Sequence, residues 1–144
     1  MLEIREMRPE DLERVVEIEK KIFSMPWSKE GFAESLEQDY TLYLTAVQDG
    51  GIIGYCGMSQ AFEEAEITNV AIKKKSRGQG TAEKMLRELF RRGEEKGISR
   101  YILEVRFGNA AARRLYAKLG FEDVGVRKGF YERPAEDAVI MVKD

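Results

Sequence analysis

The sequence predicts a mixed α/β protein, with about seven strands in one sheet and about four helices covering it. Three observations carry that prediction. Runs of β-forming residues and runs of helical spacing alternate in the order β-α-α-β-β-β-α-β-α-β-β, which suits a mixed sheet with helices on both faces. Asp49-Gly50-Gly51, set between two β-type runs, is a hairpin signal. Residues 69–90 then read as a short apolar strand, a basic turn with two glycines, and a helix.

The elements follow in order. Leu2 to Met7 alternates apolar and charged residues as a first strand would, and Arg8-Pro9-Glu10-Asp11 has the early proline and first-turn acids of a helix start. Leu12, Val15, Val16, Ile18, Ile22 and Phe23 keep helical spacing until Met25-Pro26-Trp27-Ser28 interrupts it. Ser28 is a candidate cap for a second helix through Phe32 and Leu36. Thr41–Val47 and Ile52–Phe62 make the hairpin, with Gly54 and Gly57 pointing to bends or a bulge. A strand over Ala65–Ile72 feeds the glycine turn, and the helix from Gly80 to Arg92 buries Met85, Leu86, Leu89 and Phe90. After the strand Tyr101–Val105, Asn109 caps a helix with Ala111, Leu115 and Leu119 on its inner side, and Gly120 closes it. Phe121–Val126 and Ala138–Val142 are the last strands, joined by a polar loop from Lys128 to Asp137.

Composition narrows the function. The 144 residues are expected to form one domain, 1–144, with a core large enough to need no staples. Lys+Arg of 24 against Asp+Glu of 26 gives a net charge of -2, which argues against a direct nucleic-acid partner. No apolar run approaches the roughly 20 residues that span a bilayer, and the N-terminus has acids where a secretion signal has its basic region. One cysteine, Cys56, excludes an internal disulfide and suits the cytoplasm, and a buried structural thiol competes with a nucleophile as its role. With no histidine, histidine-dependent triads and most catalytic zinc sites are gone, so no metal is expected and proton transfer falls to Glu, Asp, Tyr, Lys or water.

The glycine turn is a candidate phosphate cradle. The first amides of a helix lack internal partners and carry the positive end of its dipole, and Lys73, Lys74, Lys75 and Arg77 add charge beside them. It is not a P-loop, because Gly80 precedes Thr81 rather than Lys, and it is not a dinucleotide fingerprint, because Glu83 stands where the third glycine belongs. Arg77-Gly78-Gln79-Gly80-Thr81-Ala82 does match Q/R-x-x-G-x-G/A. The alternative is an ordinary basic surface turn.

That hexamer resembles the acetyl-CoA loop of the GNAT superfamily of N-acetyltransferases, and the element order is that superfamily's, with a mostly antiparallel sheet. A second stretch, Leu103-Glu104-Val105-Arg106 through Asn109, Leu115-Tyr116 and Gly120-Phe121, is similar to the L-E-V-R-x-S-N-x-x-A-x-x-L-Y-x-x-x-G-F run of the RimI-type ribosomal-protein alanine N-acetyltransferases. Phe23–Ser28 resembles that family's Pro-Trp segment, and Arg127–Tyr131 with Glu136–Met141 its C-terminal elements. Two positions depart from the pattern: Gly108 replaces a serine, and Phe130 replaces the first of two tyrosines.

The resemblance implies direct acetyl transfer from acetyl-CoA as co-substrate, with Glu104 as proton acceptor and Tyr116 as general acid. It further implies backbone contacts to the coenzyme from Val70, Ala71 and Ile72, a pyrophosphate site over Arg77–Ala82, and a contact from Asn109. Read from residue type alone, Glu104 is equally a sheet acid paired with Arg106 or another cation, Tyr116 a packing aromatic, and Val70–Ile72 plain core. The implied substrate is a protein N-terminus, that of small-subunit ribosomal protein eighteen, met by a monomer or weak homodimer. Chemistry favours such an amine: at pH 7 an α-amino group is about 14% neutral and a lysine about 0.04%. The acids Glu63, Glu64, Glu66, Glu132, Glu136 and Asp137 are expected either to attract a basic peptide or to form solvated faces. Another acceptor amine (a protein lysine, polyamine or aminoglycoside) and a non-catalytic acyl-CoA-binding domain are the competing functions.

Overall fold

The structure, a computed structural model, describes residues 1–144. Its strands are β1 (Leu2–Glu6), β2 (Thr41–Gln48), β3 (Gly51–Ala61), β4 (Glu64–Ile72), β5 (Arg100–Arg106), β6 (Glu122–Tyr131) and β7 (Glu136–Lys143). The helices are α1 (Leu12–Ile22), α2 (Lys29–Leu36), α3 (Thr81–Glu95) and α4 (Ala110–Lys118), with short 3-10 turns at Pro9–Asp11 and Lys74–Ser76. The sheet order is β1-β2-β3-β4-β5-β7-β6. Every neighbouring pair is antiparallel except β4 and β5, which α3 joins as a crossover.

Local chemistry explains the helix entries. Arg5 grips both Asp11 carboxylate oxygens at 2.8 and 3.0 Å, and Oδ2 of Asp11 also accepts from the Arg8 amide at 2.7 Å, so one buried acid fixes the turn before α1. Ser28 Oγ accepts from the Gly31 amide at 3.0 Å and caps α2. Asp49 and Gly50, at φ 53° and 81°, supply the left-handed pair of the β2–β3 hairpin. The glycines expected to bend β3 do flank irregularities, at Ala46/Val47 and at Gly57/Met58. A Cβ on Gly57 would sit inside the Tyr43 ring, so the close approach of β3 to β2 side chains excludes any larger residue.

Two cores result, one on each face of the sheet. Met85, Leu86 and Leu89 of α3 and Tyr116 and Leu119 of α4 pack with Leu42, Leu44, Cys56, Leu103 and Val105. On the other face, Val15, Val16 and Ile18 of α1 and Phe32 of α2 pack with Tyr43, Tyr55 and Ala71. Burying each of these large side chains contributes roughly 1.5–3 kcal/mol before entropy is charged.

Two expectations need correction. Ala111 is exposed, and Ala112 takes its place with Leu115, Tyr116 and Leu119 on the inner side of α4, because the spacing 112, 115, 116, 119 follows one helix face and position 111 falls off it. The final hairpin is also longer than its polar composition suggested. β6 runs to Tyr131 and β7 begins at Glu136, since Tyr131 and Glu136 still pair across it, leaving only residues 132–135 as the turn.

Candidate active site

β4 and β5 pair through only three residues each, Glu64–Arg100, Ala65–Tyr101 and Glu66–Ile102. Beyond Glu66 the strands part: β3 holds β4 and β7 holds β5. A bulge at Thr68, where Gly57 pairs with Asn69 and Met58 with Ile67, bends β4 just past the point of separation. The fork opens a cleft of about 690 Å³ through the sheet.

Alternation along β5 decides what enters it. Leu103 and Val105 belong to the core under α3 and α4, so Glu104 between them projects to the opposite face. Its side chain is 16% exposed, lines the cleft, and accepts from Arg127 Nη1 at 2.8 Å. The carboxylate in turn raises Arg127 above its ordinary value. Arg106, the partner considered from sequence, instead reaches Glu136 at 3.2 Å and covers the Tyr131 ring at 4.4 Å.

Tyr116 enters from the other side. Its ring lies edge-on to Phe121 at 5.8 Å within the α3/α4 core. The residue is 7% exposed, and burial, reinforced by Cys56 and Tyr131, pushes the phenol above its ordinary value. No buried side-chain oxygen lacks a hydrogen-bond partner, and the Tyr116 hydroxyl has none within the protein, so that hydroxyl opens onto the cleft it lines. A protonated phenol and a carboxylate therefore face one space from opposite sides of the sheet.

The other sequence-derived residues divide. Asn109 lines the cleft and caps α4, its Oδ1 accepting from the Ala112 amide at 3.2 Å. Of Val70, Ala71 and Ile72, only Val70 lines the cleft; Ala71 and Ile72 are buried, one in each core. Arg77–Ala82 lies outside the cleft, between the end of β4 and α3. Arg77 Nε donates to the Ile72 carbonyl at 3.1 Å, pinning this turn to the strand, while Thr81 is buried and Gln79 exposed. Gly78 and Gly80 have φ of 80° and 78°, and a Cβ on either would meet nothing within 4 Å. Gly80 is the N-cap of α3 and no side chain caps that helix, so its first amides have no side-chain partner. That geometry fits a diphosphate. Lys118 on α4 reaches Glu83 in the first turn of α3 at 2.8 Å, which sets the cradle beside the helix that carries Tyr116.

Sequence reasoning missed one carboxylate. Glu19 of α1 lines the cleft at 2% exposure, accepting from Trp27 N at 3.0 Å and from the Tyr55 hydroxyl. Its place four residues after Val15 and three after Val16, on the apolar stripe, was the available signal. Of the six acids expected near the site, only Glu132 lines the cleft; Glu136 and Asp137 bond the amides of Gly108 and Gly129. Cys56 is fully buried and its thiol is pushed up to about 12, which suits a packing role.

Known proteins resemble this chain in sequence and fold. The acetyltransferase (GNAT) family model matches residues 12–121. A Bacillus subtilis (strain 168) protein named putative ribosomal protein bS18-alanine N-acetyltransferase is 43% identical over 139 residues, covering 96% of this chain and 92% of its own. The Haemophilus influenzae ribosomal protein bS18-alanine N-acetyltransferase is 36% identical over 91% of this chain and 90% of its own. The crystal structure of the ribosomal-protein-S18-alanine N-acetyltransferase from Escherichia coli superposes with a TM-score of 0.92 at 30% identity, covering 99% of this chain and 93% of that one.

Proposed function

The chain belongs to the GNAT family of acetyltransferases, and from that premise we propose that it acetylates the N-terminal α-amino group of a protein, using acetyl-CoA. The relatives' names support an N-terminal alanine, that of ribosomal protein bS18, as the acceptor. Such a substrate places the reaction in the cytoplasm. The observation that carries the reading is the fork between β4 and β5, with Glu104 on one side and the Tyr116 hydroxyl on the other.

The roles follow from that placement. The open amides at the start of α3 hold the coenzyme's diphosphate, with Gly78 and Gly80 keeping the approach clear of side chains. The unpaired edge of β4 near Val70 offers backbone groups to the pantetheine arm, and Asn109 contacts it from α4. Glu104 takes a proton from the substrate ammonium. The neutral nitrogen bonds to the thioester carbon, the carbon–sulfur bond breaks, Tyr116 gives its proton to the departing sulfur, and the proton still carried by the acetylated nitrogen passes through water in the cleft to restore the phenol. A phenol raised by burial stays protonated through neutral pH, as an acid in this position must.

The test compares a lysine-containing peptide that begins with alanine and the same peptide blocked at its N-terminus. Mass spectrometry after incubation with acetyl-CoA should locate one acetyl group on the free α-amine and none on the blocked peptide. Acetylation confined to the blocked peptide would overturn the reading. Glu104→Gln should lower turnover about 10²–10⁴-fold while leaving acetyl-CoA binding near normal.

A further inference from the structure

Three carboxylates line the cleft: Glu132 is exposed in the β6–β7 turn, while Glu19 and Glu104 lie within the sheet-facing wall and are not equivalent. Glu104 already has a cation, Arg127, at 2.8 Å. Glu19 has none: it is 2% exposed, it lines the same cleft, and no lysine or arginine pairs with it. Both its oxygens accept, one from Tyr55 and one from the Trp27 amide, so the group presents acceptor character only. A carboxylate has about four lone-pair sites, and these two bonds leave roughly half of them free. Buried charges in proteins are ordinarily paired, because an isolated one is costly to desolvate. Tyr55 belongs to the core on the α1/α2 face, the face to which Glu104 also projects.

Resting on the reading that an amine acceptor enters this cleft, we infer that Glu19 is a substrate-binding residue that holds the incoming α-ammonium group as its missing counter-cation. Glu104, already engaged by Arg127, then takes the proton. Glu19 thus makes the site selective for a positively charged amine over a neutral end of the same peptide. It acts on the bound ammonium, so its loss is read first as weaker binding of the free-amine peptide.

Glu19→Gln keeps both contacts while removing the charge: the amide oxygen accepts from Trp27 N as before, and the bond to Tyr55 reverses, with the amide N–H donating to the phenol oxygen. Calorimetry should compare one alanine-initiated peptide carrying a free α-amine with its N-acetylated form, on wild type and variant. The expected result is about tenfold or more weaker binding of the free-amine peptide, the size of one charge-assisted hydrogen bond. Binding of the N-acetylated peptide and of acetyl-CoA should stay unchanged. Equal loss for both peptides would reduce Glu19 to a support for the α1–α2 segment, and no loss for either would remove it from binding; both results overturn the inference while leaving the acetyltransferase reading intact. A wild-type protein that acetylates only the blocked peptide would overturn that reading itself, and this inference with it. Should the glutamine variant melt early, Glu19→Met with Tyr55→Phe replaces both polar partners by apolar groups of similar shape, and the same selective loss is expected.

Discussion

Replacing Tyr116 with phenylalanine separates chemistry from packing more cleanly than any other change in this protein. The ring sits in the core beneath α4, 5.8 Å from Phe121, and phenylalanine keeps that contact. The hydroxyl has no protein partner and opens onto the cleft, so its removal leaves no buried group unsatisfied. Folding stability should therefore change by less than about 1 kcal/mol, the scale of one hydrogen bond. Loss of a positioned general acid costs about 10²–10⁴ in rate, which at 1.36 kcal/mol per decade is about 2.7–5.4 kcal/mol of barrier. The catalytic effect should thus exceed the stability effect severalfold. Thiol release from acetyl-CoA with a saturating free-amine peptide reads the first quantity, thermal melting the second, and calorimetry with acetyl-CoA shows that the cofactor still binds. Turnover within threefold of wild type, in a variant that melts normally, would refute the assignment of Tyr116 as the acid.

Other regions give independent checks. Gly80→Val puts a β-branched side chain at φ 78° into the open space before α3, so acetyl-CoA affinity should fall by at least about tenfold by calorimetry; a normal affinity would contradict the cradle. Cys56, buried and raised to about 12, should resist a thiol reagent in the native protein at pH 7.5 and react fully in denaturant. Asp11 is held below its ordinary carboxylate value chiefly by the Arg5 hydrogen bond. A group depressed in the folded state contributes stability above its unfolded pKa of about 3.9 and loses it as pH falls through the folded one. Arg5→Ala should therefore lower Tm most near neutral pH, with the gap to wild type narrowing on acidification below that value; a constant gap would show that the ion pair is not the cause.

Much of this protein was legible as local pattern, because local pattern reports local physics. The helical stripe Met85, Leu86, Leu89 and Phe90, the Ser28 cap, the Asp49-Gly50 turn and the positive-φ glycines before α3 each follow from a few neighbouring residues. Glu104 and Tyr116 were singled out by the family resemblance, and the structure adds that both line one cleft. Pairing was not legible. That Arg127 rather than Arg106 meets Glu104 depends on the register of β6 on β7, a contact across 23 residues of chain. The extra length of the last hairpin and the turning of Ala112 rather than Ala111 onto the core likewise came from packing partners distant in sequence. The clearest case is the cleft itself. The order of elements along the chain can be inferred from periodicity, but the separation of β4 from β5 after three paired residues arises where β3 holds one strand and β7 the other. Only that separation brings Glu19 of the first helix into the same space as Glu104, because side chains 85 positions apart become neighbours through the whole sheet and not through any local rule.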